Sequence, residues 1–297
     1  MFLEFRYRLE YLALRTALGL INGLKPGQSA AVFAGIADMY YALSPSRKRT
    51  ARKNVKKSGI AVENSDINRI ARHSFRSFGI LIAESLKCRS VLDEQNWRDY
   101  VEISIPPSTM SLLKEPGKGV ILVSGHLGNW EVAAQLLSFI KPVVGITRGM
   151  NNPYTNRLME KHKPHNRFRL EPKYAADPVR FISALKAGEI LAVLMDQYAR
   201  DRGMYIDFFG RPASTHKMPA LLHLVTGTPL VFGYCVRKGP LKYAFNASEP
   251  IVKKKSGNKE NDIREILEEL VSRLEDAIRM YPEQYLWAHR RWRESDP

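Results

Sequence analysis

One octapeptide carries side chains able to move a proton: Ser124-Gly125-His126-Leu127-Gly128-Asn129-Trp130-Glu131. An imidazole with one nitrogen held by a carboxylate presents the other to a substrate, which makes a general base for a hydroxyl. Spacing decides whether His126 and Glu131 can meet. On a helix, five residues turn the chain by about 500° and leave the two about 140° apart. A loop can join them. Gly125 and Gly128 permit the bend, and Asn129 is placed to cap a helix whose first turn holds Glu131. Other chemistries fit less well. A His and an acid make half a metal site, but no second His or Cys stands nearby at ligand spacing. Ser124 precedes the glycine and lacks the Gly-x-Ser-x-Gly elbow of a serine nucleophile. A histidine beside a strand also serves as an ordinary hydrogen-bonded loop residue, and the octapeptide alone leaves both readings open.

The elements around it must do the positioning. From residue 100, short β-branched runs alternate with helical patterns: 100–103, 119–123, 142–146, 190–194 and 229–233 read as strands. Helical stretches fall between them, around 130–140, 151–163, 178–187 and 214–226, and a last amphipathic helix spans 262–281. The alternation predicts an α/β fold with a mostly parallel central sheet flanked by helices. The runs at 119–123 and 190–194 are apolar nearly throughout, as strands covered on both faces should be. The octapeptide then leaves the carboxyl end of a strand, where sites form in open α/β sheets. Before residue 100 the chain reads as helices. Two or three lie in residues 3–57, one of them starting at Ser46, and a longer one spans 65–90 with Ile67, Ile70, Phe75, Phe78, Leu81 and Ile82 on its apolar side. The expected division is an N-terminal helical, membrane-associating region over 1–95 and an α/β domain over 96–297, packed as one unit.

Charge narrows the partners. The 297 residues carry a formal charge of +16, so the partners are anionic. Residues 1–57 hold eleven Lys or Arg against three Asp or Glu, interleaved with apolar residues. A basic, apolar N-terminus of this kind is more often a membrane-surface device than a nucleic-acid one. No stretch reaches the roughly 18–20 apolar residues of a spanning helix. Charges at Glu4, Arg6, Arg8 and Glu10 interrupt the place of a signal peptide's apolar core. Cys88 and Cys235, far apart and without metal-like spacing, read as buried small hydrophobes.

The segment Gly125 to Glu131 resembles the signature of the bacterial lipid A late acyltransferases, the lauroyl and myristoyl transferases of the lysophospholipid acyltransferase superfamily. The resemblance continues through Arg148, Asn152-Pro153, Arg157, Asp196-Gln197 and Phe208-Phe209-Gly210-Arg211-Pro212-Ala213-Ser214-Thr215. It closes with Pro282 to Arg291 and covers essentially the whole chain. The His-x-x-x-x-acid core is shared by many acyltransferases, whereas the combined set is specific. It implies a glycerol-phosphate-acyltransferase-like fold and transfer of a fatty acyl group from an acyl thioester to a hydroxyl of a lipid A precursor or related glycolipid. It also implies roles: His126 as base, Glu131 as the acid that orients it, and Arg148 as a cation for the oxyanion or a phosphate. Asn152, Arg157, Asp196, Gln197, Phe209 and Thr215 would contact substrate. The sequence departs from the family at His216-Lys217-Met218-Pro219, where a small residue or glycine often follows the threonine.

A thioester is activated enough that a positioned base and an oxyanion site suffice, without a metal or redox cofactor. The resemblance implies an acyl carrier protein or coenzyme A thioester as donor, an anionic membrane lipid and a glycolipid acceptor as partners, and the cytoplasmic face of the bacterial inner membrane as the location. Nearby alternatives keep the chemistry and change the acceptor to a lysophospholipid, a phosphoinositide mannoside or an amino-acid lipid. A non-catalytic membrane-binding protein would not need the intact His126 and Glu131. A nucleic-acid binder would use the basic, aromatic run Trp287-Ala288-His289-Arg290-Arg291-Trp292-Arg293, which serves equally as a lipid headgroup anchor; nucleic acid is not expected.

Overall fold

The computed structural model describes residues 2–147, 151–161, 167–172 and 178–292. Four helices come first: α1 (Phe2–Gly23), α2 (Pro26–Leu43), α3 (Pro45–Ser58) and α4 (Asn64–Val91). Each break has a local cause. Pro26 and Pro45 sit at the first helical position, where proline's missing N–H costs nothing, and Gly59 closes α3 in the left-handed conformation. The third helix therefore starts at Pro45 behind Ser44 and not at Ser46. The long helix α4 buries Ile67, Ile70, Phe75 and Leu81, but Phe78 and Ile82 remain 39% and 36% exposed, because the stripe is wider than the surface covering it.

The main sheet follows the expected alternation. In chain order come β1 (Val101–Ser104), α5 (Pro107–Lys114), β2 (Val120–Ser124), α6 (Trp130–Ser138), β3 (Val143–Thr147) and α7 (Pro153–Lys161). Then come β4 (Phe168–Pro172), α8 (Pro178–Lys186), β5 (Ile190–Leu194), β6 (Met204–Phe208), β7 (Arg211–Thr215), α9 (Met218–Thr226), β8 (Leu230–Gly239), β9 (Lys242–Ala247) and α10 (Lys259–Met280). The seven-stranded sheet has the order β1-β9-β8-β2-β5-β3-β4, parallel throughout except for the β8–β9 pair. The fold is α/β, with a mostly parallel sheet flanked by helices and a helical extension before it.

The central strand β2 is buried along Val120–Val123. Helix α10 buries Ile263, Ile266, Leu267, Leu270, Leu274 and Ile278 in the main core, each worth up to about 1.5–3 kcal/mol of transfer free energy. Residues 204–215 form an antiparallel hairpin, so the helix expected from 214 begins at Met218. Strands β4 and β9 were not legible: each breaks its apolar residues with charged or polar ones. Both cysteines are buried, and burial pushes the Cys88 thiol up to about 12. Among the described residues no helix is long and apolar enough to cross a membrane.

Candidate active site

Two adjacent parallel strands build the centre. In the β2–β5 register Ser124 lies beside Leu194, so the residues two positions further on, His126 and Asp196, leave the sheet side by side. The Nδ1 of His126 lies 2.7 Å from Asp196 Oδ1, and the His126 backbone N–H donates to Asp196 Oδ2 at 2.8 Å. Gly125 makes this approach possible. A Cβ there would stand 2.6 Å from Leu274 Cδ1 and 3.3 Å from Asp196 Oδ2.

The rest of the loop is held as tightly. Gly128 has φ +64°, and a Cβ on it would lie 2.0 Å from the Cys235 carbonyl oxygen, so only glycine fits. Its N–H donates to Gln284 O at 3.0 Å, Asn129 N–H to Cys235 O at 2.7 Å, and Leu286 N–H to His126 O at 2.9 Å. Asn129 caps α6 by accepting from Val132 N at 3.1 Å and also accepts from Ser85 Oγ at 3.1 Å. These bonds fix the loop between β8 and the segment Pro282–Trp287, which is itself tied to α4 by Ser74 bonding at Tyr285 O and Trp287 N.

Asp196 is 3% exposed, yet its carboxyl sits well below the usual carboxylate range. Burial would raise it; the charge of His126, the hydrogen bonds from its ring and backbone, and the charge of Arg291 overcome that. The phenol of buried Tyr285 is held well above its ordinary value, first by burial and then by the charge of Asp196. A carboxylate that accepts on Nδ1 selects the tautomer with a free lone pair on Nε2. That nitrogen faces the amide Nε2 of Gln197 at 3.1 Å, and Gln197 is exposed. In that tautomer the Gln197 amide donates to the Nε2 lone pair.

The orienting bond on the ring thus comes from Asp196, which corrects the expectation that Glu131 supplies it. Glu131 lies in the first turn of α6, as its spacing predicts, and the bend that brings it near does not bring it to Nδ1. Burial raises its carboxyl above the ordinary value, and the charge of His126 opposes the shift. Among the described residues Glu131 makes no hydrogen bond to the ring, and the charge of His126 reaches its carboxyl only through space. Trp130 packs its indole edge-on to the imidazole, ring centroids 4.8 Å apart.

The other residues separate. Arg148 lies outside the described residues. Asn152 caps α7 and donates to Tyr7 O and Glu10 Oε2, both at 2.9 Å; its amide is spent joining α7 to α1. Arg157 is exposed on α7. Phe209, at the hairpin tip, is buried with φ +53°, its N–H on Glu275 Oε1 and the Arg279 guanidinium over its ring. Thr215 is fully buried and accepts from Arg291 Nη2 at 2.7 Å.

Two participants escaped the sequence reading. Tyr285 lies in the closing stretch of the resemblance with no role assigned, and Arg291 belongs to the run Trp287 to Arg293 read as a surface cluster, but Trp287 and Arg291 are 1% and 3% exposed. Arg291 donates to Ser214 O at 2.6 Å, pins β7, and lends its charge to Asp196. Their signal was the dense aromatic composition of that run, which suits burial as well as it suits an interface. With Trp287 and Arg291 inside, that run keeps two fewer side chains for any surface.

The chain is 22% identical over 253 residues to the lipid A biosynthesis palmitoleoyltransferase of Escherichia coli and equally to the lipid A biosynthesis acyltransferase of Shigella flexneri, covering 83% of this chain and 79% of each relative. A crystal structure of the 1-acyl-sn-glycerophosphate acyltransferase PlsC from Thermotoga maritima aligns with 84% of this chain and 97% of its own, at 14% identity and a TM-score of 0.36. The pattern of the bacterial lipid A biosynthesis acyltransferases matches residues 5–294. With that match running through the His126 loop, the Asp196 strand end and the C-terminal clamp, the chain belongs to the bacterial lipid A biosynthesis acyltransferase family.

Proposed function

We propose that this acyltransferase moves a fatty acyl group from an acyl thioester, carried by acyl carrier protein or coenzyme A, to a hydroxyl of a lipid A precursor or related glycolipid. One observation carries the reading: His126 Nδ1 is bound by buried Asp196, and Nε2 meets only the amide of exposed Gln197. The acceptor hydroxyl displaces the Gln197 amide and loses its proton to Nε2 as its oxygen attacks the thioester carbonyl. The tetrahedral intermediate collapses by breaking the C–S bond, and the departing sulfur takes the proton back from Nε2. Asp196 keeps the tautomer and, with the field of Glu131, stabilises the imidazolium that forms between these steps. The His126 N–H is committed to Asp196, so the oxyanion needs another donor, and Arg148 is the cation proposed for it. Lysophospholipid, phosphoinositide mannoside and amino-acid lipid acceptors fit the same chemistry.

The test is a panel of acyl carrier protein and coenzyme A thioesters against lipid acceptors, with products read by mass spectrometry. His126→Ala should lower transfer by at least ~10²-fold while the unfolding temperature holds. Near-normal transfer, or loss only through unfolding, would remove the assignment.

The proposed location is the cytoplasmic face of the inner membrane. Helix α1 exposes Leu3, Phe5, Leu9 and Leu12, and α2 exposes Val32, Ile36, Met39 and Leu43 along one face, beside the basic α3. A salt wash should release part of the protein and detergent the rest, because charge and apolar insertion both contribute. Full solubility in a low-salt lysate would refute this placement.

A further inference from the structure

Away from His126, a cleft of about 440 Å³ opens between α2, α3 and α4, lined by Tyr41, Lys48, Arg52, Arg69, Arg72 and His73. Its charges are unequally satisfied. Arg72 is paired with Asp38 at 2.8 Å, Arg69 with Glu283 and Asp66, and His73 Nδ1 with Glu283 at 2.9 Å. Lys48 and Arg52, one turn apart on the same face of α3, have no carboxylate partner among the described residues. Lys48 Nζ rests 5.1 Å from the centre of the Tyr41 ring. Two donors in this wall are orphaned. The Tyr41 hydroxyl is buried without a hydrogen-bond partner, on a residue only 8% exposed, and so is the Nε of Arg52. A buried polar group left unpaired costs free energy, so two of them facing a cationic cleft call for a ligand that accepts hydrogen bonds and carries negative charge.

The surroundings say which. The outward face of α2 already described, which turns away from Tyr41, carries Met39 and Leu43, exposed by 59% and 74%. A cationic, donor-lined cleft on a helix whose other face is apolar matches a molecule with a phosphate at one end and acyl chains at the other. We propose that this cleft is a second ligand site, separate from the catalytic centre, that clasps the phosphate of an anionic phospholipid headgroup through the Tyr41 hydroxyl, Arg52 Nε and Lys48 Nζ. The phosphate oxygens satisfy both orphaned donors, while Met39 and Leu43 reach the acyl layer. The site presupposes the membrane placement above and makes no use of the transfer reaction.

The experiment is binding of the full-length protein to phosphatidylcholine vesicles doped with phosphatidic acid, compared across three variants. Lys48→Ala/Arg52→Gln removes two charges from the cleft. Arg49→Gln/Lys56→Ala removes two charges from exposed positions elsewhere on α3. Tyr41→Phe removes one hydroxyl and no charge. A built site predicts a loss of about tenfold or more for the first, from two charge-assisted bonds, against a small loss for the second, and about three- to fivefold for the third. Inorganic phosphate should compete with the vesicles for wild type and not for the cleft variant. Equal losses in the two charge variants, or wild-type binding by Tyr41→Phe, would overturn the site and leave only a diffuse field. Phosphate binding as strong as vesicle binding would overturn the lipid source. Wild type that fails to bind any anionic vesicle refutes the placement itself, so the two failures are distinguishable. Thermal unfolding of each variant accompanies the binding, and Tyr41→Phe, which keeps the ring, carries the test if the double variant does not fold.

Discussion

Asp196→Asn separates a positioned base from a histidine that merely lies in a loop. Two donors converge on the wild-type carboxylate: the His126 ring N–H at 2.7 Å and the His126 backbone N–H at 2.8 Å. An asparagine offers one oxygen and one NH2 in the same volume. If the NH2 faces the ring, Nδ1 must accept, the proton moves to Nε2 and the base is gone. If it faces the backbone, two buried donors oppose each other. Either way two hydrogen bonds to a charged group are weakened, each worth about 1.5–3 kcal/mol. At about 1.4 kcal/mol per decade, their full loss from the transition state corresponds to roughly 10²–10⁴ in rate. The assay follows thiol release from an acyl thioester in the presence of lipid acceptor, beside thermal unfolding, for wild type, Asp196→Asn, His126→Ala and the double variant. Because the two residues act as one unit, the double variant should be no slower than His126→Ala. Transfer by Asp196→Asn within about threefold of wild type, or a double variant slower by the full product of the single losses, would refute the dyad.

Acid should reveal the same carboxylate. Its folded value is depressed, so its contribution to stability is present above the ordinary carboxylate value near about 4 and is lost as pH falls through the folded one. Wild type should therefore lose stability between neutral pH and strong acid more steeply than Asp196→Asn, as followed by chemical unfolding at stepped pH. Glu131→Gln removes a carboxyl whose value burial raises; at neutral pH the unfolding temperature should hold or rise while transfer falls by about tenfold or more. Equal losses of stability and rate would make Glu131 a structural residue. Gly128→Ala must abandon φ +64° and move the Cys235 carbonyl 2.0 Å from its new Cβ, so a loss of several kcal/mol in stability is expected by denaturant titration, and a normal midpoint would contradict the loop geometry.

Much of this was legible from residue order because the signals were local. Continuous apolar runs at 119–123 and 190–194 mark strands buried on both faces, and prolines and glycines mark helix ends within one or two residues. Gly125, Gly128 and Asn129 stated that the His126 segment bends and then caps a helix, and the structure keeps each of those features. The partner of His126 was not legible in the same way. Glu131 is close in sequence and carries the right functional group, whereas Asp196 is 70 positions away and meets the ring only because β2 and β5 are neighbours in register. Sequence spacing measures contour distance, and strand pairing replaces it with a lateral contact that no local pattern encodes. The C-terminal run teaches the same lesson from the other side. Trp287 and Arg291 have the composition of a surface anchor, but the groove between α4, β7 and the catalytic loop removes them from water and turns a cation into support for Asp196. Residue types and their order determined that a histidine, a nearby acid and a basic, apolar N-terminal surface would exist here. Only the packing of the sheet decided which acid holds the base, because that choice is made by through-space distance inside a folded core.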